Sequence, residues 1–309
     1  MRIKAYFNNF FWLFLTCLLS PYFYFRIFLQ KKNIPLKILV IQTAKIGDLV
    51  CATPVFREIK RKFPSCHLSA LIISKTKDIL KNNPRLDEII SIEDFPGIIG
   101  KFKLIRKLRK EKYDWAFNLL PGSFDNIIAF WSLIPNRVAT CHMGAGAIIG
   151  LLSLFNNYRL EYKSHTRFSR HYLNLLKFLG IEQASEEKEL FIRPEEEKKA
   201  LDFLTQNNLS TDDLLIGISA VPGNKIKQWD LAKFTALSDL LVEKMEAKII
   251  FIGSADDRAQ VEKVQKMMQN SSINAYGFFK LPELPALLKK LKLFISVDSG
   301  PLYIANALG

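Results

Sequence analysis

The chain holds no D-x-D, no G-x-G-x-x-G, no G-x-x-x-x-G-K and no C-x-x-C in its 309 residues. Each absence removes a chemistry. Without D-x-D there is no usual carboxylate pair to hold a metal on a sugar nucleotide, so positive charge and helix dipoles would have to bind a diphosphate. The missing glycine fingerprints exclude a Walker loop and a dinucleotide loop. The stretch GAGAIIG at 144–150 is glycine-rich, but its spacing is wrong and no clear strand precedes it. Only four cysteines occur, Cys17, Cys51, Cys66 and Cys141, and they are scattered. They read as reduced thiols of a cytosolic protein, not as a disulfide or zinc framework. The four histidines, His67, His142, His165 and His171, lack zinc-ligand spacing too, so neither metal nor other cofactor is expected. No tandem repeat of solenoid period is present. Acid is scarce: 30 Asp+Glu face 44 Lys+Arg, a net charge of +14. That balance favours an anionic partner. Nucleic acid is not the expected one, because no motif interleaves aromatics with basic residues in the manner of an RNA-recognition signature.

What is present suggests roughly two domains by the usual size prior, with 49% apolar residues to build their cores. Residues 5–25, AYFNNFFWLFLTCLLSPYFYF, carry no charge and are thick with aromatics. Arg2 and Lys4 precede them; Arg26, Lys31 and Lys32 follow. A spanning helix needs about 20 apolar residues, so the length is borderline, and Asn8, Asn9 and Pro21 weaken a clean span. Aromatic rings prefer the headgroup boundary and basic flanks favour anionic lipid. Residues 1–33 are therefore expected to form a membrane-associating segment; lying on the surface, spanning, and packing inside the protein remain open. No small-residue cleavage site follows the run, which argues against a signal peptide.

From residue 35 strands and helices alternate, which implies parallel sheets covered on both faces. Strands are expected at 37–42, 67–73, 87–92 and 114–120. Helices are expected at 50–61, with Pro54 in its first turn, and at 98–112. Residues 141–165 break the rhythm and read as a long connection or mobile flap. A helix returns at 165–181 with Leu173, Leu176 and Leu179 as its stripe. The polar stretch at 182–200 marks a domain boundary. Beyond it come strands at 214–220, 247–253 and 293–300, helices at 231–246, 256–268 and 281–291, and a helix start at 301–309. The basic helix at 101–112 suits an acidic lipid acceptor or membrane surface, or is a solvated face with Phe102, Ile105 and Leu108 inward.

Ligands of open α/β sheets sit off the carboxyl ends of the strands, and four clusters fall there. In KIGD (45–48), Gly47 suits a tight turn, and Asp48 stands near a helix N-terminus, as a cap, as a reactive carboxylate, or as both. In SAVPGNKIKQWD (219–230), Lys225 and Lys227 form a phosphate clamp or an ordinary solvated pair. In IGSADDRA (252–259), Asp256 or Asp257 caps a helix or accepts ribose hydroxyls. In SVDSGPLYIANALG (296–309), Asp298, Ser299 and Gly300 join a strand to a helix start and offer an anion seat, with Pro301 suited to the first turn.

With these clusters in this order, the chain resembles the ADP-heptose:lipopolysaccharide heptosyltransferases, glycosyltransferase family 9, over residues 37–309. The likeness rests on KIGDLVCATPVFREIKRKFP, KQWDLAKFTALSDLL, IGSADDRA and LFISVDSGPLYIANALG. It implies a GT-B fold: two facing Rossmann-like α/β domains with parallel sheets, 34–190 for the acceptor and 191–309 for the sugar nucleotide. It implies an inverting, metal-independent transfer of a heptose or related sugar from a nucleotide donor, ADP-heptose by default, to a lipid-linked saccharide of the lipopolysaccharide core type. The place would be the cytoplasmic side of the inner membrane. Asp48 matches the catalytic aspartate, with Lys45 and Gly47 beside it on the acceptor side. A free aspartate has a pKa of about 3.9 and is a weak base for an alcohol, so it would take the proton late, as the diphosphate departs. Lys227 matches the phosphate-binding lysine. Asp257 lies near the nucleoside contact, with Asp256 its competitor. Asp298, Ser299 and Gly300 match the turn at the diphosphate. The family commonly carries histidine where this chain has Tyr303, whose phenol donates one hydrogen bond but brings no positive charge. Members usually continue past the position of Gly309, so the second domain is expected to be incomplete. The competing expectation is a catalytically silent, transferase-like binding or scaffolding protein.

Overall fold

A computed structural model describes residues 2–30, 36–120, 122–142, 144 and 146–309, with backbone alone at 2–7 and 225. The expected basic flank Lys31-Lys32 and the domain start at 34 lie outside the described residues. The chain divides into two units, Met1–Glu187 and Lys188–Gly309.

In the first unit six strands make one parallel sheet: β1 (Lys37–Gln42), β2 (His67–Ile72), β3 (Glu88–Ser91), β4 (Trp115–Asn118), β5 (Asn136–Cys141) and β6 (Tyr158–Glu161). Their order is β3-β2-β1-β4-β5-β6, with Ile38 of β1 set against Leu68 on one side and Trp115 on the other. A central strand covered on both faces must be apolar throughout, and KILVIQ is buried from its second residue on. Leu39 and Ile41 belong to the core cluster under α4 (Gly97–Glu111) and α5 (Ser123–Trp131). In α4, Leu104, Ile105 and Leu108 point inward as their spacing predicts, whereas Phe102 is partly exposed.

The helix after β1, α2, runs Ile46–Lys62, starting four residues before the expected position. Pro54 therefore sits in its interior, where a missing N–H orphans the carbonyl of Val50. The Thr53 hydroxyl donates to that carbonyl at 2.8 Å, and so the helix continues through the proline. Residues 141–165 are not a flap. They contain α6 (Ala147–Ser153) and β6, which pairs in parallel with β5. The strand was hidden because YRLE is a half-exposed edge with one aliphatic residue. The remaining helices of this unit are α3 (Lys77–Leu80) and α7 (Phe168–Leu175), the latter packed on α2 and extended by a 3-10 turn over Leu176–Leu179.

The first helix, α1 (Arg2–Phe28), belongs to this unit. It packs on α5 and α6, burying Trp12 and Phe23 among Phe124, Phe130 and Trp131. The Trp131 indole N–H donates to the Thr16 hydroxyl at 2.8 Å.

The second unit carries β7 (Leu215–Ser219), β8 (Lys248–Phe251), β9 (Ile273–Asn274) and β10 (Leu293–Ser296) in the parallel order β10-β7-β8-β9. Its helices are α8 (Pro194–Gln206), α9 (Leu231–Met245), α10 (Arg258–Met267), α11 (Leu284–Leu288) and α12 (Gly300–Asn306). Gly217 in β7 has no room for a side chain: a Cβ would meet Leu291 Cδ1 at 2.4 Å. The α/β class with parallel sheets is the one the sequence implies.

Candidate functional site

The flagged residues of each unit gather at the carboxyl edge of its sheet. In the first unit, Lys45 is the exposed N-cap residue of α2, with extended backbone and no side-chain cap bond. Gly47 is buried and helical, not part of a tight turn. Asp48 is the third residue of the helix and half-buried. It is thus not the N-cap, although a carboxylate in the first turn still favours the helix dipole. Its backbone carbonyl accepts from the buried Gln42 side chain at 3.5 Å.

Beside Asp48 stands Tyr172 of α7, whose phenol is pushed up by burial first and then by the Asp48 carboxylate. The buried Tyr172 hydroxyl and Gln42 Oε1 each lack a hydrogen bond of good geometry. Tyr172 lines a mainly apolar cavity of about 200 Å³ with Leu119, Thr140, Tyr162, Phe168 and His171. His171 is held neutral, its pKa pushed down to about 4 by burial, and its Nε2 lies 3.0 Å from the Thr140 hydroxyl. An apolar wall of rings with a few polar atoms is the ordinary make-up of a small-ligand seat.

Sequence reasoning missed a second carboxylate at this edge. Asp125, in the first turn of α5, accepts a hydrogen bond from the Thr43 hydroxyl in the β1–α2 loop at 2.9 Å. Burial pushes its carboxyl up, against the pull of Thr43 and the Lys101 ammonium. The available signal was the same strand-turn-helix placement that singled out Asp48: Asp125 follows β4 at a comparable distance. Tyr172 and His171 gave no such signal, since HYL within a helical stripe reads as core.

In the second unit, Lys227 closes a short 3-10 turn after β7, and its ammonium pairs with the Asp298 carboxylate. Both side chains are about half exposed, 46% and 45%, so the pair is open to a charged ligand. Ser299 is the N-cap residue of α12; its hydroxyl lies 2.9 Å from that of Ser296. Gly300 begins the helix and Tyr303 follows one turn later, half-buried. The side chain of Lys225 is outside the described residues. Asp257 is engaged locally: its Oδ2 accepts from the Ser254 N–H at 2.7 Å and the Ser254 hydroxyl at 2.8 Å. This is a capping box, and the neighbouring Asp256 is the exposed carboxylate of the two. The structure therefore brings Lys227 to the Asp298–Gly300 turn, and it ties Asp257 to its own loop.

Comparison with known proteins identifies the family and the fold. The family model of glycosyltransferase family 9 (heptosyltransferase) matches residues 101–309. Lipopolysaccharide heptosyltransferase 3 of Escherichia coli is 26% identical over 269 residues, 85% of this chain and 78% of the relative. Lipopolysaccharide core heptosyltransferase OpsX of Haemophilus influenzae is 23% identical, covering 89% of this chain and 77% of the relative. The fold matches the crystal structure of the glycosyl transferase family 9 protein from Veillonella parvula, with a TM-score of 0.77 at 24% identity over 90% of this chain and 80% of that one. It also matches E. coli ADP-heptose lps heptosyltransferase II, with a TM-score of 0.71 at 20% identity over 88% and 82%. The family match covers well over half the chain. The chain is a glycosyltransferase and belongs to glycosyltransferase family 9, the heptosyltransferases.

Proposed function

We propose that this protein transfers a heptose from a nucleoside-diphosphate donor to a lipid-linked saccharide of the lipopolysaccharide core, with inversion and without a metal. Relatives named as lipopolysaccharide heptosyltransferases support the substrate class, and a neighbour crystallised with ADP-2-deoxy-2-fluoro heptose supports an adenosine diphosphate donor. The observation that carries the reading is the Asp48 carboxylate acting on Tyr172, which lines a ring-walled cavity at the carboxyl edge of the first sheet.

The acceptor sugar stacks in that cavity, and its attacking hydroxyl hydrogen-bonds to Asp48. The oxygen attacks the anomeric carbon from the face opposite the diphosphate. The C–O bond to the diphosphate breaks, and Asp48 takes the hydroxyl proton late in the step. Lys227 releases Asp298 to meet the diphosphate oxygens, with Ser299 and the Gly300 turn beside it and Tyr303 donating its phenol. Asp256 or Asp257 faces the nucleoside. Residues 34–190 thus serve the acceptor and 191–309 the donor. The work is done at the cytoplasmic face of the inner membrane, where the lipid end of the acceptor resides.

Asp48→Asn tests the reading. It keeps the shape and removes the base, so transfer should fall by about 10²–10⁴ while calorimetric donor affinity stays within about twofold. Transfer at the wild-type rate removes Asp48 from the mechanism.

A further inference from the structure

The first helix divides lengthwise. Its inner face carries Trp12, Thr16 and Phe23, all buried. Its outer face carries Phe10, Phe14, Leu18 and Phe25, which remain 60–64% exposed. These outer positions recur at four- and seven-residue intervals and so share one side of the helix. Exposed apolar residues also occur on α4 (Ile98, Ile99), on α6 (Leu151) and just past α6 (Leu154), and α6 packs on α1. An apolar helix face of this size is not left to water without a partner.

We propose that the first unit docks on an anionic lipid surface through this face, with α1 lying in the interfacial plane and not crossing the bilayer. The inference rests on the reading above, in which the acceptor is lipid-linked. Length and hydropathy alone allow α1 to cross a membrane; its packing decides otherwise. A crossing helix would have to leave the unit. That would break the Trp131–Thr16 hydrogen bond and strip Phe130 and Trp131 of their edge-on contacts with Phe23 and Trp12, at ring separations of 5.5 and 5.3 Å. Lying in the plane keeps every one of these contacts and immerses only the outer face, the usual disposition of an interfacial helix.

Charge selects the occupant. No acidic residue occurs in α1; on α4, Lys107 is paired with Glu88 and Lys101 and Arg109 are half-buried, while Lys103, Arg106 and Lys110 are exposed, and the helix's one acid, Glu111, is paired with Lys37 at 3.0 Å. Such a rim attracts anionic headgroups. A second copy of the chain would set the same positive rim against itself across a two-fold axis. The placement also serves the reaction. The Lys101 ammonium lies over the rings of Trp12 and Phe124, at 5.5 and 4.5 Å, and interacts with Asp125. Asp125 in turn holds Thr43 in the loop leading to Asp48. The amino-terminal half of α1 is therefore linked through Lys101 and Asp125 to the loop that precedes Asp48.

The full chain is tested on vesicles of phosphatidylcholine alone and of phosphatidylcholine mixed with phosphatidylglycerol. Binding should be at least about tenfold tighter on the mixed vesicles and should be lost in the exposed-face triple variant Phe14→Ser/Leu18→Ser/Phe25→Ser. Cys17 is exposed on α1, Cys51 and Cys66 are buried and Cys141 is half-buried, so a nitroxide on Cys17 in a Cys141→Ser background reports depth. It should lie about 5–10 Å into the headgroup and acyl boundary. Vesicle binding unchanged in the triple variant, a nitroxide at the bilayer midplane, or a lipid-free dimer that the triple variant abolishes would each overturn the proposal. Transfer to a delipidated core oligosaccharide separates the two readings, since wild type and triple variant should act on it equally. If neither does while vesicle binding behaves as expected, the surface assignment stands and the transfer reaction is what fails.

Discussion

His171 gives the site edge a pH dependence. Its imidazole is buried at 2% exposure and held neutral, with a pKa of about 4 in the folded chain against about 6.5 when unfolded. Below the unfolded value the unfolded chain takes up a proton that the folded one refuses. Stability from this group is therefore intact above about pH 6.5 and falls as pH drops toward 4, by about 3 kcal/mol in all. Asp125 works in the opposite sense, since burial raises its carboxyl and protonation relieves the folded state. The expected result is that His171→Phe flattens the rise of unfolding free energy with pH between 4 and 6.5 in urea titrations, while the Asp125 contribution remains. An unchanged slope would mean that His171 is charged in the folded chain. At this scale the sequence showed the positions that punctuate strand ends: Asp48, Lys227 and Asp298 stand out because a charge follows an apolar strand. It could not show Tyr172 and His171, which reach the same edge from a helix more than a hundred residues along the chain. It left Asp257 between capping a helix and meeting a ribose, and the structure has its carboxylate on Ser254 in a capping box.

Among the elements, α2 is the one whose local rules conflict. A proline at its ninth position should end or kink it, yet the helix spans 17 residues. The hydroxyl of Thr53 supplies the bond that Pro54 cannot. Thr53 is buried at 1% exposure, so Thr53→Val leaves the Val50 carbonyl short of a donor in a dry place, at a cost of about 1–3 kcal/mol. Thr53→Ser should recover most of it. Pro54→Ala restores the N–H, so it should rescue the Thr53→Val variant in denaturant unfolding; no coupling between the two substitutions would refute the account. The proline also explains why the helix start was misjudged, since proline is commonest in a first turn and drew the boundary toward itself. Elements with strong periodicity, β1, α4 and α9, were legible to within a residue or two. Unread were α3, α5, β5 and α8, whose residues were passed over or taken for a polar boundary, together with α6, β6 and β9. Helix α6 packs on α1 and α5 but buries only Leu152 and Ser153, β6 is a polar edge, and β9 has only two residues.

Across the whole molecule, each unit has its own sheet edge, and the proposed mechanism assigns each a different half of the chemistry that kinetics should separate. On the first unit, removing the base acts on the transition state alone, so Asp48→Asn should lower kcat and kcat/KM together. On the second, Lys227 and Asp298 hold each other while half exposed, a pair worth little by itself in water. A diphosphate that captures the lysine exchanges a weak ion pair for a charge-assisted bond to phosphate. Lys227→Ala should therefore raise the donor KM by about tenfold or more, which is about 1.4 kcal/mol of binding, with a smaller effect on the acceptor KM. Asp298→Asn frees the lysine and should leave donor affinity equal or better. In the proposed mechanism lysine and backbone donors carry the diphosphate charge, so chelation by EDTA should change none of these values. A fall in transfer on chelation that added Mg²⁺ restores would put a metal in that role and demote Lys227. If Lys227→Ala instead lowers kcat at an unchanged donor KM, the lysine acts on the leaving group only as its bond breaks. The second unit would then share in the chemical step itself.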